Sequence, residues 1–204
     1  MKRFVSSLAR IWYVYVIVTV AGILLIDYAF NVINKPRNEE TITLFVVSEG
    51  NDLKELKEKL EDNKPNYLRE INIYGVRRES NEFSTYFDVY GKANSDVVIL
   101  PESKIEEDVV FNHYSPFSFD YLNDYIDGLS TYRLEKNGLD YGVKIHSKGE
   151  DNGLIEYKSE GFDEDYYAFF VNGSLHIGEM SDSEYTTAFS FINIIRGEKN
   201  GQEE

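Results

Sequence analysis

The chain has 204 residues, a length that suits one ordinary domain with an appendage. Its 36 acidic and 21 basic residues give a formal net charge of −15, which repels nucleic-acid phosphates, so we expect no nucleic-acid partner. The absence of cysteine excludes disulfides, thiol nucleophiles, thiolate metal sites and attachment through a lipidated cysteine.

The N-terminal segment is strongly apolar. Residues 11–26, IWYVYVIVTVAGILLI, carry no charge, and the apolar run continues to residue 33 with Asp27 as its single ionised group. Such a run can cross a hydrocarbon layer of about 30 Å with Arg10 and Asp27 in opposite headgroup regions. Lys2, Arg3 and Arg10 precede it, which predicts a cytoplasmic N-terminus and an extracytoplasmic remainder.

Two interpretations of this segment stay open. A signal anchor would make residues 1–33 a cytoplasmic tip and a transmembrane helix, with residues 11–33 in the lipid bilayer and residues 34–40 as a polar linker. A cleaved signal peptide has a similar start, but its apolar part is usually roughly 7–15 residues long and ends at a small-residue cleavage site. We favour the anchor, followed by an extracytoplasmic domain over residues 41–197 and a flexible tail over residues 198–204.

Strands and helices alternate after the linker. Three β-branched apolar stretches predict strands: TITLFVV (41–47), INIYGV (71–76) and VVIL (97–100). Residues 51–62, NDLKELKEKLED, place leucines on one face and predict an amphipathic helix. A second helix over residues 83–90 is expected to stop at Gly91. The alternation predicts an α/β domain with βαβ units, a mixed, mainly parallel sheet and flanking helices.

The second half of the domain is aromatic, acidic and punctuated by glycine and asparagine. A short helix is expected near residues 119–126 and a strand at 141–145. Residues 166–171 predict a further strand, which a type I′ turn at Asn172-Gly173 joins to a returning strand at 174–177.

A final helix is predicted over SDSEYTTAFSFINIIRG. Ser181 and Glu184 have the spacing of a capping box, and Arg196 and Gly197 supply a stop. Its apolar residues recur at helical spacing on one face: Tyr185, Ala188, Phe189, Ile192 and Ile195.

Three of these stretches together resemble a known family. In order, ITLFVVSEGNDLKEL, SDVVILPESKI and YYAFFVNGSLHIGE with the final helix are similar to the extracellular, sugar-type solute-binding proteins of bacterial ABC importers. The resemblance implies the type II periplasmic-binding fold, in which the first strand leads into a ligand-side loop and the serine-aspartate strand ends at the cleft. This chain is about half as long as such proteins and has no lipidated cysteine, so a single, reduced lobe on a helical anchor is implied.

The expected ligand site lies where the parallel strands end, because open α/β sheets bind ligands at that edge. Ser48, Glu49 and Asn51 follow the first strand, and Glu102 and Ser103 follow the third. Negative charge at this edge predicts a neutral or cationic small solute, such as a sugar, rather than phosphate. Ordinary loop and capping roles are the alternative interpretation of these residues.

Aromatic side chains in the middle of the chain are further candidates. Tyr114, Phe117, Tyr121 and Tyr125 could present ring faces to a sugar, although the last three share helical spacing and are typical of a core. Tyr114 is therefore the aromatic candidate for the ligand site.

No catalytic or metal motif is evident. The three histidines, His113, His146 and His176, are widely separated, and no zinc-protease, nucleophile-elbow or phosphate-loop pattern occurs. The acidic clusters at residues 106–108 and 163–165 lack the spacing of a calcium loop, so we expect both to be solvated surface. We therefore expect no enzyme and no cofactor.

Two noncatalytic functions fit the sequence. The first is binding of a small polar solute, which predicts a pocket where Glu49, Asn51, Glu102 and an aromatic residue converge. The second is an interaction module that docks on a membrane permease or another envelope protein without a solute. It predicts a filled cleft and an exposed apolar or tyrosine-rich patch.

Overall fold

The computed structural model describes residues 2–50, 53–116, 128–150, 154–158, 161, 163–177 and 187–197. The chain forms two compact units, Met1–Arg37 and Asn38–Glu204. The boundary between them falls inside the stretch of residues 34–40 that the sequence predicts as a linker.

The first unit is one helix, α1, which spans Lys2–Asn34. Within Trp12–Asn34, a window of 18 residues reaches a mean hydropathy of 2.2, and none of that window is buried by protein. This helix is long and apolar enough to cross a membrane, and a signal sequence near an N-terminus has the same properties.

The second unit is built on a mixed sheet of six strands in the order β2-β1-β3-β6-β5-β4. The strands are β1 Thr41–Val47, β2 Glu70–Val76, β3 Val97–Pro101, β4 Thr131–Arg133, β5 Asp140–His146 and β6 Tyr166–Phe170. β1 pairs in parallel with β2 and β3, whereas β3–β6, β6–β5 and β5–β4 are antiparallel. The sheet is mixed, as expected, but the expectation that it is mainly parallel is wrong. β6 is antiparallel to β3, and β5 and β4 continue the sheet with antiparallel pairing.

The strand prediction for the parallel half is confirmed to within one residue at each end. All five residues of β3 are apolar and buried, because the strand lies in the centre of the sheet between β1 and β6. In the antiparallel half, Gly142 of β5 is required by close packing, because a Cβ atom there would lie 2.7 Å from the ring of Phe169. The three-residue strand β4 was not predicted.

Helices and short helical turns precede, connect or follow these strands. They are α2 Leu53–Asp62, α3 Phe83–Tyr86, which continues as a π-helix over Phe87–Asn94, α4 Glu107–His113, α5 Thr187–Ser190 and α6 Ile192–Ile195, with 3-10 turns at Asn38–Glu40 and Glu102–Lys104. Gly91 does not end the second predicted helix. The chain stays helical through it to Asn94. Glycine is needed at this position because the ring of Phe87 would lie 2.2 Å from an added Cβ.

The predicted hairpin after β6 is wrong. A type I′ turn needs positive φ at both central residues, but among the described residues only glycines have positive φ, and Gly173 is the one in this turn, at 83°. The Ser174 amide donates to the Val171 carbonyl at 3.2 Å, as in a type II turn. Residues 174–177 then form a loop instead of a strand, in which the His176 ring hydrogen-bonds the Thr41 carbonyl at 2.9 Å.

The predicted C-terminal helix is two short helices with a break at Phe191. Its apolar face is confirmed where the structure describes it, since Ala188, Phe189, Ile192 and Ile195 are buried. The capping box at Ser181 and Glu184, the position of Tyr185 and the helix predicted near residues 119–126 lie outside the described residues.

Candidate functional site

Four neighbouring strands bring polar side chains together at one edge of the sheet. β1, β2 and β3 end at this edge and are followed by Glu49, Arg78 and Ser103, respectively. β6 is antiparallel to β3, so Glu164, which precedes β6, lies at the same edge. We call this side of the sheet the carboxyl-end edge, and these four residues the charge cluster.

Arg78 holds the charge cluster together. Its side chain is 2% exposed, and its Nη2 atom lies 3.3 Å from Oε1 of Glu49, whose side chain is 8% exposed. Its Nη1 atom donates to Oε1 of Glu164, on the far side of β1 and β3. The Arg78 side chain therefore reaches from the end of β2 across the sheet edge, and its guanidinium pairs with Glu49 and with Glu164.

Ser103 completes the arrangement at the end of β3. Its backbone amide donates to Oε2 of Glu164 at 2.7 Å, and its hydroxyl donates to Oε1 of Glu164 at 2.9 Å. Charge-assisted hydrogen bonds of this kind are about twice as strong as neutral ones. Glu164 therefore has defined partners on both oxygens, and the loops after β1, β2 and β3 are tied to the start of β6.

A buried aromatic group adjoins the charge cluster. The ring of His146, at the end of β5, stacks on Tyr157 with centroids 4.8 Å apart, and Tyr157 lies 4.8 Å from the ring of Tyr166. Burial lowers the pKa of His146, although the nearby Asp163 carboxylate, 3.9 Å away, opposes that shift. Burial also raises the pKa of Tyr166; the Arg78 guanidinium opposes this rise, and the Glu49 and Glu164 carboxylates add to it. Both residues are therefore uncharged at neutral pH.

A second ion pair lies beside this group. Lys144 of β5 donates to Asp165, and the Lys148 amide also donates to that carboxylate, at 2.8 Å. Burial alone would raise the pKa of Asp165, but these hydrogen bonds outweigh it and the pKa is lowered. The hydrogen bond to Asp165 raises the pKa of Lys144 in turn. The pair therefore remains charged at neutral pH.

The predicted site residues are only partly brought together. Glu49 and Ser103 both lie in the charge cluster, connected through Arg78 and Glu164. Ser48 is buried, and its hydroxyl accepts from the Gly50 amide at 3.2 Å. It therefore shapes the loop after β1.

The other described candidates, Glu102 and Tyr114, are not part of the charge cluster. Glu102 is exposed, and its backbone amide donates to the Asp165 carbonyl at 2.9 Å. Tyr114 is buried in the core, with its hydroxyl donating to the Gly91 carbonyl at 2.9 Å. It bridges to Val171 beyond the far end of β6, so it does not converge with Glu49. Asn51, Phe117, Tyr121 and Tyr125 lie outside the described residues.

Sequence reasoning missed the roles of Arg78, Glu164 and His146. The expectation that residues 163–165 are solvated surface is wrong, because Glu164 and Asp165 are largely buried in ion pairs with Arg78 and Lys144.

Arg77 and Arg78 follow a strand in a polar stretch and look like two surface residues, but Arg77 is exposed and Arg78 is buried. The position of Arg78 was the signal that could have identified it, because Arg78 follows β2 at the same edge where Glu49 and Ser103 follow β1 and β3. A buried arginine requires an anionic partner, and Glu49 is a carboxylate that the neighbouring strand β1 brings to the same edge.

The opposite edge of the sheet, where the parallel strands begin, is different in character. It carries an open cleft of about 510 Å³ that includes Thr41, Thr43, Ser95, Asp96 and Asn172. We call it the Asp96 cleft, and this side of the sheet the amino-end edge. A neighbouring cleft of about 350 Å³ is lined by charged and aromatic residues, among them Glu40, Tyr67 and Arg69. These clefts are open. At the carboxyl-end edge, Arg78 occupies the centre, and a smaller open cleft of about 250 Å³ lies beside the ends of β1 and β2, lined by Ser48, Gly50, Leu53, Gly75, Val76 and Arg77.

An aromatic surface lies on the helix that precedes β3. The rings of Tyr74 and Tyr90 stack with centroids 3.8 Å apart, and Tyr86 lies 6.0 Å from Tyr90. Tyr86 is 37% exposed and the adjacent Val89 is 44% exposed. We call Tyr74, Tyr86, Val89 and Tyr90 the tyrosine patch.

Within the described ranges, no group of three or more histidine or carboxylate side chains is placed to hold a metal ion. Comparison of the chain with protein-family models, with curated proteins and with solved structures gives no significant match.

Proposed function

We propose that this chain is a noncatalytic protein-interaction module of the cell envelope. In this proposal α1 is a single-pass anchor with its N-terminus in the cytoplasm, and the α/β unit is extracytoplasmic. The apolar character of α1 and the basic residues before it support the anchor and its orientation. The resemblance of three sequence stretches to solute-binding proteins supports an origin as a reduced lobe of that fold.

The position of Arg78 carries the proposal. In open α/β sheets, ligands bind outside the carboxyl ends of the strands, at the point where the strand order reverses. Here that point lies between β1 and β3, and the Arg78 guanidinium spans it from Glu49 to Glu164. The sequence predicts a neutral or cationic solute at this crevice, but the cation that lies there belongs to the chain itself.

Displacing Arg78 would be costly for a solute. Its departure would leave two largely buried carboxylates without a compensating charge, a change worth about 3–5 kcal/mol in comparable buried pairs. That cost would be subtracted from the free energy that the solute gains from its own contacts. Solute capture at the carboxyl-end edge is therefore the less favoured of the two functions.

The tyrosine patch offers a surface of the kind that protein partners use. Tyrosine is enriched in protein interfaces because it provides a large contact area at low entropic cost, together with a polar tip. Tyr86 and Val89 are exposed beside the stacked pair of Tyr74 and Tyr90. The patch includes a residue of β2, the edge strand of the sheet, so a partner could also reach that strand.

The proposal is tested by photo-cross-linking in cells that carry the full chain in their envelope. A photoreactive phenylalanine analogue replaces Tyr86 in one variant and Lys57, an exposed residue of α2, in the control. We expect a discrete adduct with another protein from position 86 and none from position 57. Equal adduct patterns from both positions, or none from either, would contradict a docking role for the patch.

The solute alternative has its own test. The full chain in lipid nanodiscs is screened by thermal shift against sugars, polyamines and amino acids, because a ligand of the folded state raises the midpoint. A rise that disappears in both Glu49→Ala and Ser103→Ala would reverse the proposal and establish a solute site at the carboxyl-end edge.

A further inference from the structure

The two edge strands of the sheet differ in how well they are shielded from another chain. β4 has three residues, and its pairing with β5 is irregular between Tyr132 and Arg133. Short strands, bulges, prolines and charged side chains keep a sheet edge from pairing with a further strand. β2 has seven residues that pair with β1 in one continuous register, it contains no proline, and its only charged residue is the first, Glu70. The edge of β2 therefore lacks this protection.

The backbone groups on the outer side of β2 follow from its pairing with β1. The Val76 carbonyl accepts from the Ser48 amide at 3.2 Å, so the N–H and C=O groups of Val76 point towards β1. These groups alternate in direction along a strand, so those of Ile71, Ile73 and Gly75 point away from β1. Within the described residues, these outward groups have no backbone hydrogen-bond partner.

The accessible part of this edge runs from Ile73 to Gly75. Ile71 is fully buried, whereas Ile73 is half-buried and Gly75 is exposed. Ile73 and Gly75 each offer one donor and one acceptor, and the two sets lie about 6.6 Å apart along the strand. Another extended polypeptide carries the same groups at the same spacing, so it can pair with both residues at once. The unpaired groups therefore specify the backbone of a protein segment as the occupant.

The small cleft beside the ends of β1 and β2 adjoins this edge. Its volume is about 250 Å³, and its lining includes Gly75 and the apolar side chains of Leu53 and Val76. This volume lies below the range of about 300–1,000 Å³ that is typical of small-molecule sites, so the cleft suits a single side chain. Where a segment is added to a sheet edge, such pockets receive its alternate side chains and give specificity. The cleft therefore predicts a small apolar residue in the segment, close to the position that pairs with Gly75.

The open edge is continuous with the tyrosine patch. Tyr74 lies between Ile73 and Gly75, and its ring stacks on that of Tyr90 with centroids 3.8 Å apart. The other face of β2 is covered by α2, since a Cβ atom added to Gly75 would lie 2.0 Å from the Leu53 side chain. The edge thus lies between a covered face and the face that carries the patch. A protein docked on the patch is therefore adjacent to the unpaired backbone groups.

We propose that the protein partner of the tyrosine patch adds an extended segment to the edge of β2. The segment becomes a seventh strand, next to β2 in the six-stranded order. The unshielded edge, the outward backbone groups of Ile73 and Gly75, the side-chain-sized cleft and the adjoining patch all point to this mode of binding. The inference rests on the proposed function, because the segment belongs to the protein that contacts the patch.

The test uses the photoreactive residue at position 86, in cells that carry the full chain. Gly75→Pro removes the outward N–H group of residue 75 and no hydrogen bond between β1 and β2. Gly75→Ala is the matched control, because it keeps the N–H group and brings the same Cβ atom towards Leu53. We expect Gly75→Pro to lower the yield of the partner adduct by about three- to tenfold relative to Gly75→Ala, as for one lost neutral hydrogen bond.

The outcomes separate this inference from the proposed function. Equal yields in the two variants would overturn strand addition and leave the docking role of the patch intact. No adduct from position 86 in the otherwise unchanged chain would contradict the docking role, and the inference would fail with it. An adduct between two copies of this chain would overturn the assignment to a separate partner, because β2 would then pair with a second copy.

Hydrogen exchange tests the inference without a variant at residue 75, which matters if the proline variant does not fold. The protein identified from the adduct by mass spectrometry is combined with the isotope-labelled full chain in lipid nanodiscs, and backbone amide exchange is measured by NMR. The amides of Ile73 and Gly75 should exchange about tenfold more slowly in the complex, or slower still. The Tyr74 amide, which points towards β1, should change much less. Unchanged exchange at Ile73 and Gly75 would overturn strand addition.

Discussion

At each of the two edges of the sheet, one residue cross-links the ends of neighbouring strands, but the two residues do so with different chemistry. At the carboxyl-end edge, four strand ends are joined by ionised side chains: Glu49, Arg78 and Glu164, with Ser103 as a neutral donor. At the amino-end edge, Asp96 joins three strands through hydrogen bonds to backbone and hydroxyl groups. The first edge is occupied by a buried guanidinium, whereas the second leaves an open cleft of about 510 Å³.

A crevice at the position where a fold usually binds ligands can be occupied by a side chain of the protein itself. A long side chain such as that of Arg78 reaches across the strand ends, occupies the centre of the crevice and gives both carboxylates a counter-charge. A short side chain such as that of Asp96 reaches only its immediate neighbours, so the space beyond it stays open. The length of the residue that cross-links an edge therefore helps to decide whether that edge can take a ligand.

The largest expected effect comes from removing the long cross-link. Arg78→Ala should destabilise the domain by about 3–5 kcal/mol, because two largely buried carboxylates lose their counter-charge. Arg77→Ala, the adjacent and exposed arginine, is the matched control and should stay within about 0.5 kcal/mol of wild type. Urea unfolding of the full chain in nanodiscs measures both. Similar losses in the two variants would mean that the charge cluster does not hold this edge.

The corresponding change at the amino-end edge should be somewhat smaller. Asp96→Ala removes an acceptor from the Thr43 amide and the Ser174 hydroxyl, which should cost about 2–3 kcal/mol. The control is Asp88→Ala, since Asp88 is exposed and pairs with Lys92 four residues later on the helix surface, a contact worth less than about 1 kcal/mol. The same urea titration ranks the two variants. A loss in Asp96→Ala no greater than in the control would show that Asp96 does not cross-link this edge.

The pH dependence of stability tests the aromatic group beside the charge cluster. Burial lowers the pKa of His146 in the folded state, so the unfolded chain binds the proton more tightly. The stabilisation is complete above the unfolded pKa of about 6.5 and is lost as the pH falls through that value towards the lower folded pKa. His146→Phe keeps a ring beside Tyr157 and should flatten this part of the stability profile. An unchanged slope below pH 7 would contradict the burial of a neutral His146.

The smallest effect on stability is expected at the tyrosine patch. Tyr86→Ala removes a side chain that is 37% exposed and packs on Tyr90, so it should lower the free energy of unfolding by about 1 kcal/mol. With the photoreactive probe placed at Val89, however, the same substitution should reduce the yield of the partner adduct. A full yield in Tyr86→Ala would show that this tyrosine does not contribute to docking.

Local patterns in the sequence predicted the parallel half of the fold well. TITLFVV and VVIL are apolar at nearly every position because their strands lie inside the sheet, and this signal does not depend on distant residues. The antiparallel half was harder to predict. β4 has three residues, and the turn at Asn172-Gly173 is set by the hydrogen bonds of Ser174 and His176 to Asp96 and Thr41, which no local pattern reveals.

The sequence predicted that Glu49 and Ser103 lie at the carboxyl-end edge, but it did not predict that Arg78 lies there between Glu49 and Glu164. Strand order and polarity placed Glu49 and Ser103 at one edge, and the structure brings them together. Whether that edge was open depended on Arg78 and Glu164, which are 86 residues apart in the chain. Their pairing follows from the antiparallel insertion of β6 beside β3, a feature of the tertiary fold.

The central claim is that the Arg78 side chain is held inside the carboxyl-end edge. The most direct test is the hydrogen exchange of arginine Nε–H groups, measured by NMR on the isotope-labelled full chain in nanodiscs, with Arg78→Lys used to assign the signal. The account predicts slow exchange at Arg78 and fast exchange at the neighbouring, exposed Arg77. Equally fast exchange at both positions would show that the guanidinium is in solvent, and the carboxyl-end edge would then be an open crevice available to a solute.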